Sequence, residues 1–288
     1  MNDDDGPKRS VDERHTRSVV SPPHLDLDLD VGFTLGLDLP FGETVAFAAE
    51  EGFDFVELLL DAAYARERIE DRADTMRATL DQFGRDVIVH LPFAVDPGSP
   101  FTPVREGAVT ELTRGMDLAA ELGAQRVVFH PSSDAWDEGW STTTTRSFVH
   151  DSLDELVPAA HERGLEPCLE NVVSSYYDAT TFGELLDRYP DASMTFDTSH
   201  AVLAGQSETE MAAFLRDHAD RVSHLHLVDT RGDADEHLPV GMGRIDFETV
   251  LAALAEADWS GTATLEVGTD DYASIALGKN NLEAMLAT

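Results

Sequence analysis

The sequence predicts an α/β protein: one closed (β/α)8 TIM barrel. Three observations lead there. Short β-rich runs alternate with longer helical patterns eight times along the chain, the pattern of parallel strands joined by helical crossovers. A length of 288 residues with 42% apolar content suits a single barrel of about 250 residues. No glycine-rich phosphate loop follows the first apolar run, as an open doubly wound sheet would more often carry.

Residues 1–30 read as a disordered acidic tail. They are charged, interrupted by Pro22-Pro23, and end in the alternating "HLDLDLD", which reads as a solvated approach to the first strand rather than a binding motif. The barrel then occupies residues 31–288 as a single domain. Strands are expected at "VGFTLGL" (31–37), "FDFVELLL" (53–60), "VIVHLPF" (87–93), "RVVFHPS" (126–132), "EPCLENV" (166–172), "MTFDTSH" (194–200), "VSHLHLVD" (222–229) and "TATLEV" (262–267). Helices are expected between them, over 43–51, 65–83, 103–122, 144–163, 180–188, 208–219, 246–257 and 270–286. Several of these stop at glycine, as at Gly52, Gly84, Gly123 and Gly164, which suits a left-handed C-terminal cap.

The formal net charge is -36, and the only lysines are Lys8 and Lys279. Such a surface repels itself at low ionic strength and suits a salt-rich solvent where screening is nearly complete. The protein therefore reads as halophilic, and its charge says little about its partners. No apolar run reaches 18 residues, so no transmembrane helix is expected. The charged N-terminus lacks the apolar core of a signal peptide, and a cytoplasmic location is expected. One cysteine, Cys168, rules out an internal disulfide and a thiolate metal cage.

Polar residues fall at the C-terminal ends of nearly every expected strand: Glu57, His90, His130, Glu170, Asp197, His226 and Glu266. That end carries the active sites of such barrels. Side chains alternate along a strand, so Ile88 and His90 share a face, as do Val128 and His130, Cys168 and Glu170, and His224 and His226. If the first of each pair fills the barrel, the second points into its mouth. One histidine or glutamate so placed is usually an ordinary rim residue. A ring of them would repel or stay unsatisfied without a cation. Oxygen and nitrogen donors without sulfur suit Mn2+, Zn2+, Mg2+ or Co2+. Asp197 and His200, in "FDTSH", are expected to face that ion. Asp235 and His237 follow the seventh strand in "DADEHLPVGMGRIDF", where Gly241 and Gly243 permit tight turns. Asp235 reads equally well as surface charge; His237 is the stronger candidate.

The ordered set "VIVHLPF", "VVFHPSS", "CLENV", "FDTSHA", "HLHLVD", "HLPVGMGRIDF" and "TLEV" resembles the xylose isomerase-like superfamily of barrels over residues 31–288. That superfamily includes sugar isomerases, sugar epimerases and the endonuclease IV branch (AP endonuclease family 2). Resemblance to the isomerase and epimerase branch implies one metal held by Glu170, Asp197, His226 and Glu266. It also implies that Glu170 and Glu266 act as acid and base on a sugar carbon, and that His200 and His237 bind substrate. Resemblance to the endonuclease branch implies a zinc cluster on His90, His130, Glu170, Asp197, His200, His226, Asp235, His237 and Glu266.

The loops distinguish the two. "LPFAVDPGSPF" offers only Phe93 where the nucleases place several DNA-penetrating side chains. "VVSSYYDATT" replaces a glycine-rich stretch, "HPSS" replaces "HPG", and the opening histidine-serine motif is absent. No basic stripe compensates, although Arg231 and Arg244 could meet a phosphate. Tyr176, Tyr177, Trp136 and Trp140 lie in loops on the expected active face and could wall a pocket. The leading expectation is a divalent-metal-dependent isomerase or epimerase acting on a small sugar, sugar phosphate or polyol, with His200, His237 and Arg244 on the substrate. The alternative is a multinuclear-zinc phosphodiesterase acting on abasic DNA or a small phosphodiester, so nucleic acid stays as the less favoured partner. A barrel that binds without chemistry is the third reading.

Overall fold

The structure is a computed structural model and describes residues 25, 27–36, 39–174 and 176–287. Eight parallel strands close into a barrel in sequence order. They are β1 (Asp28–Thr34), β2 (Phe55–Leu59), β3 (Asp86–His90), β4 (Arg126–Phe129), β5 (Glu166–Glu170), β6 (Ser193–Asp197), β7 (Val222–Leu227) and β8 (Ser260–Leu265). The seam pairs β1 with β8, from Asp28 opposite Ser260 to Phe33 opposite Leu265. The helices are α1 (Phe41–Glu50), α2 (Arg66–Ile69), α3 (Ala73–Phe83), α4 (Thr102–Leu122), α5 (Thr142–Glu162), α6 (Phe182–Arg188), α7 (Thr198–Leu203), α8 (Glu208–Asp217), α9 (Phe247–Glu256) and α10 (Tyr272–Leu286). Gly52, Gly84, Gly123 and Gly164 all take positive φ, as the expected caps require.

Two apolar layers result from strand alternation. Outward-facing residues such as Phe33, Phe129 and Phe196 join Phe53, Phe182 and Phe247 between strands and helices, all fully buried. Each contributes about 1.5–3 kcal/mol by leaving water. Inward-facing Phe55, Ile88, Val128 and Cys168 form a separate plug inside the barrel. That is where the alternation of Ile88, Val128 and Cys168 with the mouth residues places them. Burial pushes the Cys168 thiol up to about 12, so it packs as a small apolar group.

Three boundaries differ from expectation. First, β1 starts at Asp28, so the expected tail ends earlier. Leu25, Leu27 and Leu29 pack against the core while Asp28 and Asp30 stay exposed. From Asp28 the alternation is thus a strand pattern with one buried face. The rest of the expected tail, residues 1–24 and 26, lies outside the described residues. Second, the helix expected over 65–83 is broken, because a 3-10 turn at Glu70–Arg72 separates α2 from α3. Third, the run 194–200 does not stay extended. Asp197 ends β6, and its side chain accepts the His200 amide at 2.6 Å, an N-cap that starts α7.

Candidate metal centre

The strand ends bring Glu170, Asp197, His226 and Glu266 together. One donor atom from each lies within 4.8 Å of all the others. His226 Nδ1 is 3.4 Å from Glu170 Oε1, 3.2 Å from Glu266 Oε2 and 3.9 Å from Asp197 Oδ2. Two ligands held about 2.1 Å from one ion at a tetrahedral angle would stand about 3.4 Å apart. The separations from His226 bracket that value, so the four residues could hold a single divalent ion. Glu170, Asp197 and His226 are buried, and Glu266 is 18% exposed toward the mouth.

Two atoms test whether these residues fit a cation. Asp197 Oδ2 and His226 Nδ1 are buried with no hydrogen-bond partner, although unpaired buried polar atoms are costly. Both face the same point. The charges agree. Burial pushes Asp197 up to about 6, with Glu170 and Glu266 adding to the rise against His200 and His226. Burial would raise Glu170 too, yet His226 and His130 beside it hold it well below the usual carboxylate range. His226 loses from burial, but Glu57, Glu170 and Glu266 raise it well above an ordinary imidazole. A divalent ion would replace this shared protonation with fixed positive charge.

The other five expected ligands surround this group, two of them as a second set on Glu170 and three toward the rim. His90 Nε2 and His130 Nε2 each lie 3.1 Å from Glu170 Oε2. His200 Nδ1 is 2.9 Å from the Asn171 carbonyl and 3.3 Å from Glu170 Oε1. On the rim, Asp235 Oδ2 meets His200 Nε2 at 3.1 Å and His237 Nε2 at 3.0 Å. Burial opposes the charge on His237, but Asp235 and Glu266 lift it to about 9. His237 holds φ at 48°, a conformation rare outside glycine and typical of strained functional positions.

Other expected residues stand elsewhere. Arg244 is exposed, its side chain lies over Gly232, and it makes no hydrogen bond to this cluster among the described residues. Arg231 is tied to Glu236 at 2.5 Å. Tyr176 bonds the backbone of Ser133, and Tyr177 bonds His150 at 3.0 Å; both are buried packing residues. Trp136 and Trp140 are exposed and do not border the cavity beside the cluster. Glu57 does not face the mouth. It sits mid-strand in β2, fully buried beneath the cluster, against His224 and His226.

The sequence reading also passed over two scaffold residues. Asn171 accepts the Asp197 amide at 2.8 Å and donates to the Asp197 carbonyl at 3.0 Å, which locks the end of β6 to β5. Asp229 is buried and accepts four backbone amides, from Thr230, Gly241, Gly243 and Ile245, at 2.7–3.1 Å. A β-carbon at Gly243 would sit 2.3 Å from Asp229 Oδ1, so only glycine fits there. This clamp folds the loop that carries Asp235 and His237. Beside Glu266 and His237 opens a cavity of 390 Å3, walled by Leu35, Leu59, Phe93 and Asp270, a size that suits a small ligand.

The fold and the cluster together define a (β/α)8 barrel with carboxylates and imidazoles gathered at the C-terminal ends of its strands, the end that carries the active sites of barrel enzymes. A family model described as xylose isomerase-like TIM barrel matches residues 45–287, and the chain belongs to that family. An uncharacterized protein of Methanocaldococcus jannaschii is 28% identical over 251 residues, covering 83% of this chain and 84% of that protein. A probable endonuclease 4 of Mycobacterium marinum is 28% identical over 225 residues, covering 75% of this chain and 86% of that protein. The crystal structure of a D-tagatose 3-epimerase-like protein superposes with a TM-score of 0.73 at 25% identity, covering 89% of this chain and 98% of that one. Among the described residues no helix is long and apolar enough to cross a membrane.

Proposed function

We propose that the protein is a divalent-metal-dependent isomerase or epimerase of a small sugar or polyol, working in a salt-rich cytoplasm. One observation carries this reading: four donors converge on one point beside a cavity of 390 Å3 that no arginine or lysine borders among the described residues. Glu170, Asp197, His226 and Glu266 would hold the ion, Mn2+ or Zn2+ by donor type. Bound there, it supplies Lewis-acid stabilisation of charge on a substrate oxygen. The chain supplies the rest. Glu266 borders the cavity and exchanges a proton with the substrate carbon. Glu170 is the opposing acid or base, with His90 and His130 holding its Oε2 in place. His237 and His200 stand at the rim as hydroxyl partners. Leu35, Leu59 and Phe93 exclude water from one face of the ligand.

A second reading has its own observation. Glu170 is shared between two donor sets, one with His90 and His130 and one with Asp197, His226 and Glu266, and His200, Asp235 and His237 meet beyond them. Nine donors could serve several zinc ions and a phosphodiester. Against it stand the cavity lining and, among the described residues, the absence of a lysine or arginine bordering that cavity. Metal content per chain separates the two. One ion exchangeable with Mn2+, with solvent hydrogen appearing in a ketose or polyol substrate, supports the first. Two or three zinc ions with nicking of an abasic-site duplex support the second and would overturn the first.

A further inference from the structure

Below the donor cluster, the barrel holds a carboxylate that the proposed reaction does not use. Glu57 is fully buried, and among the described residues no lysine or arginine bonds it. Both its oxygens are occupied. Oε1 faces His226 Nε2 at 3.0 Å. Oε2 faces His224 Nε2 at 3.1 Å and accepts the Thr264 hydroxyl. His224 is itself held at Nδ1 by the Thr262 hydroxyl at 2.7 Å. A hydrogen-bonded column thus runs up the barrel interior from Thr262 through His224 and Glu57 to His226.

The chemistry of the column fixes a proton. An ionised carboxylate only accepts hydrogen bonds, so His226 Nε2 must carry the hydrogen. The other nitrogen, Nδ1, is then the one that would present a lone pair to an ion at the point shared by Glu170, Asp197 and Glu266. Burying a carboxylate without a permanent cation beside it is unfavourable, and positive charge at the cluster would offset that cost through the imidazole.

We propose that Glu57, supported by His224 and Thr264, is a positioning residue that fixes the tautomer and ring orientation of His226 and so sets the affinity of the metal centre. The inference rests on the metal-binding part of the proposed function, not on the sugar chemistry. Outer partners of this kind typically change metal affinity by about 10–100-fold.

The wild-type chain gives the first test, in concentrated KCl with Zn2+ alone. Nitrogen-15 NMR of the His226 ring should show zinc on Nδ1 and hydrogen on Nε2. Zinc on Nε2, or no hydrogen there, overturns the proposal. The second test is E57Q, which keeps the volume and removes the charge. Its Zn2+ affinity, measured by competition with a chromophoric chelator, should fall about 10–100-fold, and E57D should restore part of the loss. Wild-type affinity in E57Q overturns the proposal. If E57Q does not fold, the wild-type spectrum decides alone. A wild-type chain that binds no zinc defeats this inference and the metal reading together. A chain whose zinc affinity depends on Glu57 but which exchanges no sugar hydrogen defeats only the proposed reaction.

Discussion

The two ends of this barrel both gather carboxylates, and they handle them in opposite ways. At the N-terminal end, Asp30, Asp54 and Asp86 ring a small cavity of 90 Å3 with Arg126. These acids stay exposed, Asp54 accepts the Val31 amide at 2.8 Å, and Arg126 pairs with Glu166 at 2.8 Å. At the C-terminal end, Glu170 and Asp197 are fully buried. Their neighbours are imidazoles, and buried atoms are left without partners. Water, salt and one arginine are enough for the first set. Only the second set is arranged so that it could hold an ion. Clustered acid is therefore uninformative on a chain of net charge -36; burial and unpaired donors carry the information.

The largest effect that would sharpen this contrast is on turnover. Glu266→Gln should lower kcat by about 100- to 10,000-fold, read as hydrogen exchange between solvent and substrate, whereas Asp86→Asn at the other end should leave it unchanged. Near-normal exchange in Glu266→Gln would remove its role as acid or base. Next comes metal removal. At an ion concentration about 100-fold above Kd, binding adds about 2.7 kcal/mol, so chelation should lower Tm by about 5–10 °C for a domain of this size. A melting curve indifferent to chelator would put the two ends on the same footing.

The Asp229 clamp should be comparably costly. Asp229→Ala leaves four backbone amides without their acceptor, and about 2–4 kcal/mol of stability should go with it, measured by denaturant unfolding. The variant should also loosen Asp235 and His237 and weaken metal or substrate binding.

A smaller effect is expected with pH. Asp197 holds its proton up to about 6 in the metal-free fold against an ordinary 3.8, and His237 holds its own up to about 9 against 6.5. In both cases the folded state binds the proton more tightly than the unfolded chain. Acidification from about pH 9 to about pH 7 should therefore stabilise the metal-free protein through His237, a gain lost again as pH rises through about 9; below that range Asp197 is opposed by His130 and His224, which burial holds below an ordinary imidazole. The metal-loaded protein should show less of this gain, because the ion takes over the negative charge of Glu266 beside His237. Parallel melts of the two forms check the difference. The smallest effect belongs to the N-terminal rim, where Asp86→Asn should change stability by less than about 0.5 kcal/mol in concentrated salt.

Much of this was legible in the chain. The barrel follows from the eightfold alternation, and strand periodicity placed Ile88, Val128 and Cys168 below the mouth and His90, His130 and Glu170 at it. What escaped depended on where a strand stops or on backbone partners. "FDFVELLL" has no marker for its end, so Glu57 seemed to reach the mouth although β2 continues for two residues beyond it. "DTSH" continues an apolar run, and only the Asp197 cap reveals a helix start. Asp229 reads only as the last residue of the expected strand 222–229, because its four partners are amides that no side-chain pattern displays. Arg244 was assigned to substrate from its place in the loop; its direction depends on how that loop folds.

Direct counting of bound metal bears hardest on the central claim. Metal-stripped protein in concentrated KCl should be reloaded with Zn2+ or Mn2+, freed of unbound metal by dialysis against metal-free concentrated KCl and analysed for metal per chain, beside Asp197→Ala and the N-terminal-rim control Asp86→Asn. The account predicts at least one tightly held ion in the wild type and the Asp86 variant, and its loss or severe weakening in Asp197→Ala. Equal metal content in all three, or none in any, would contradict it.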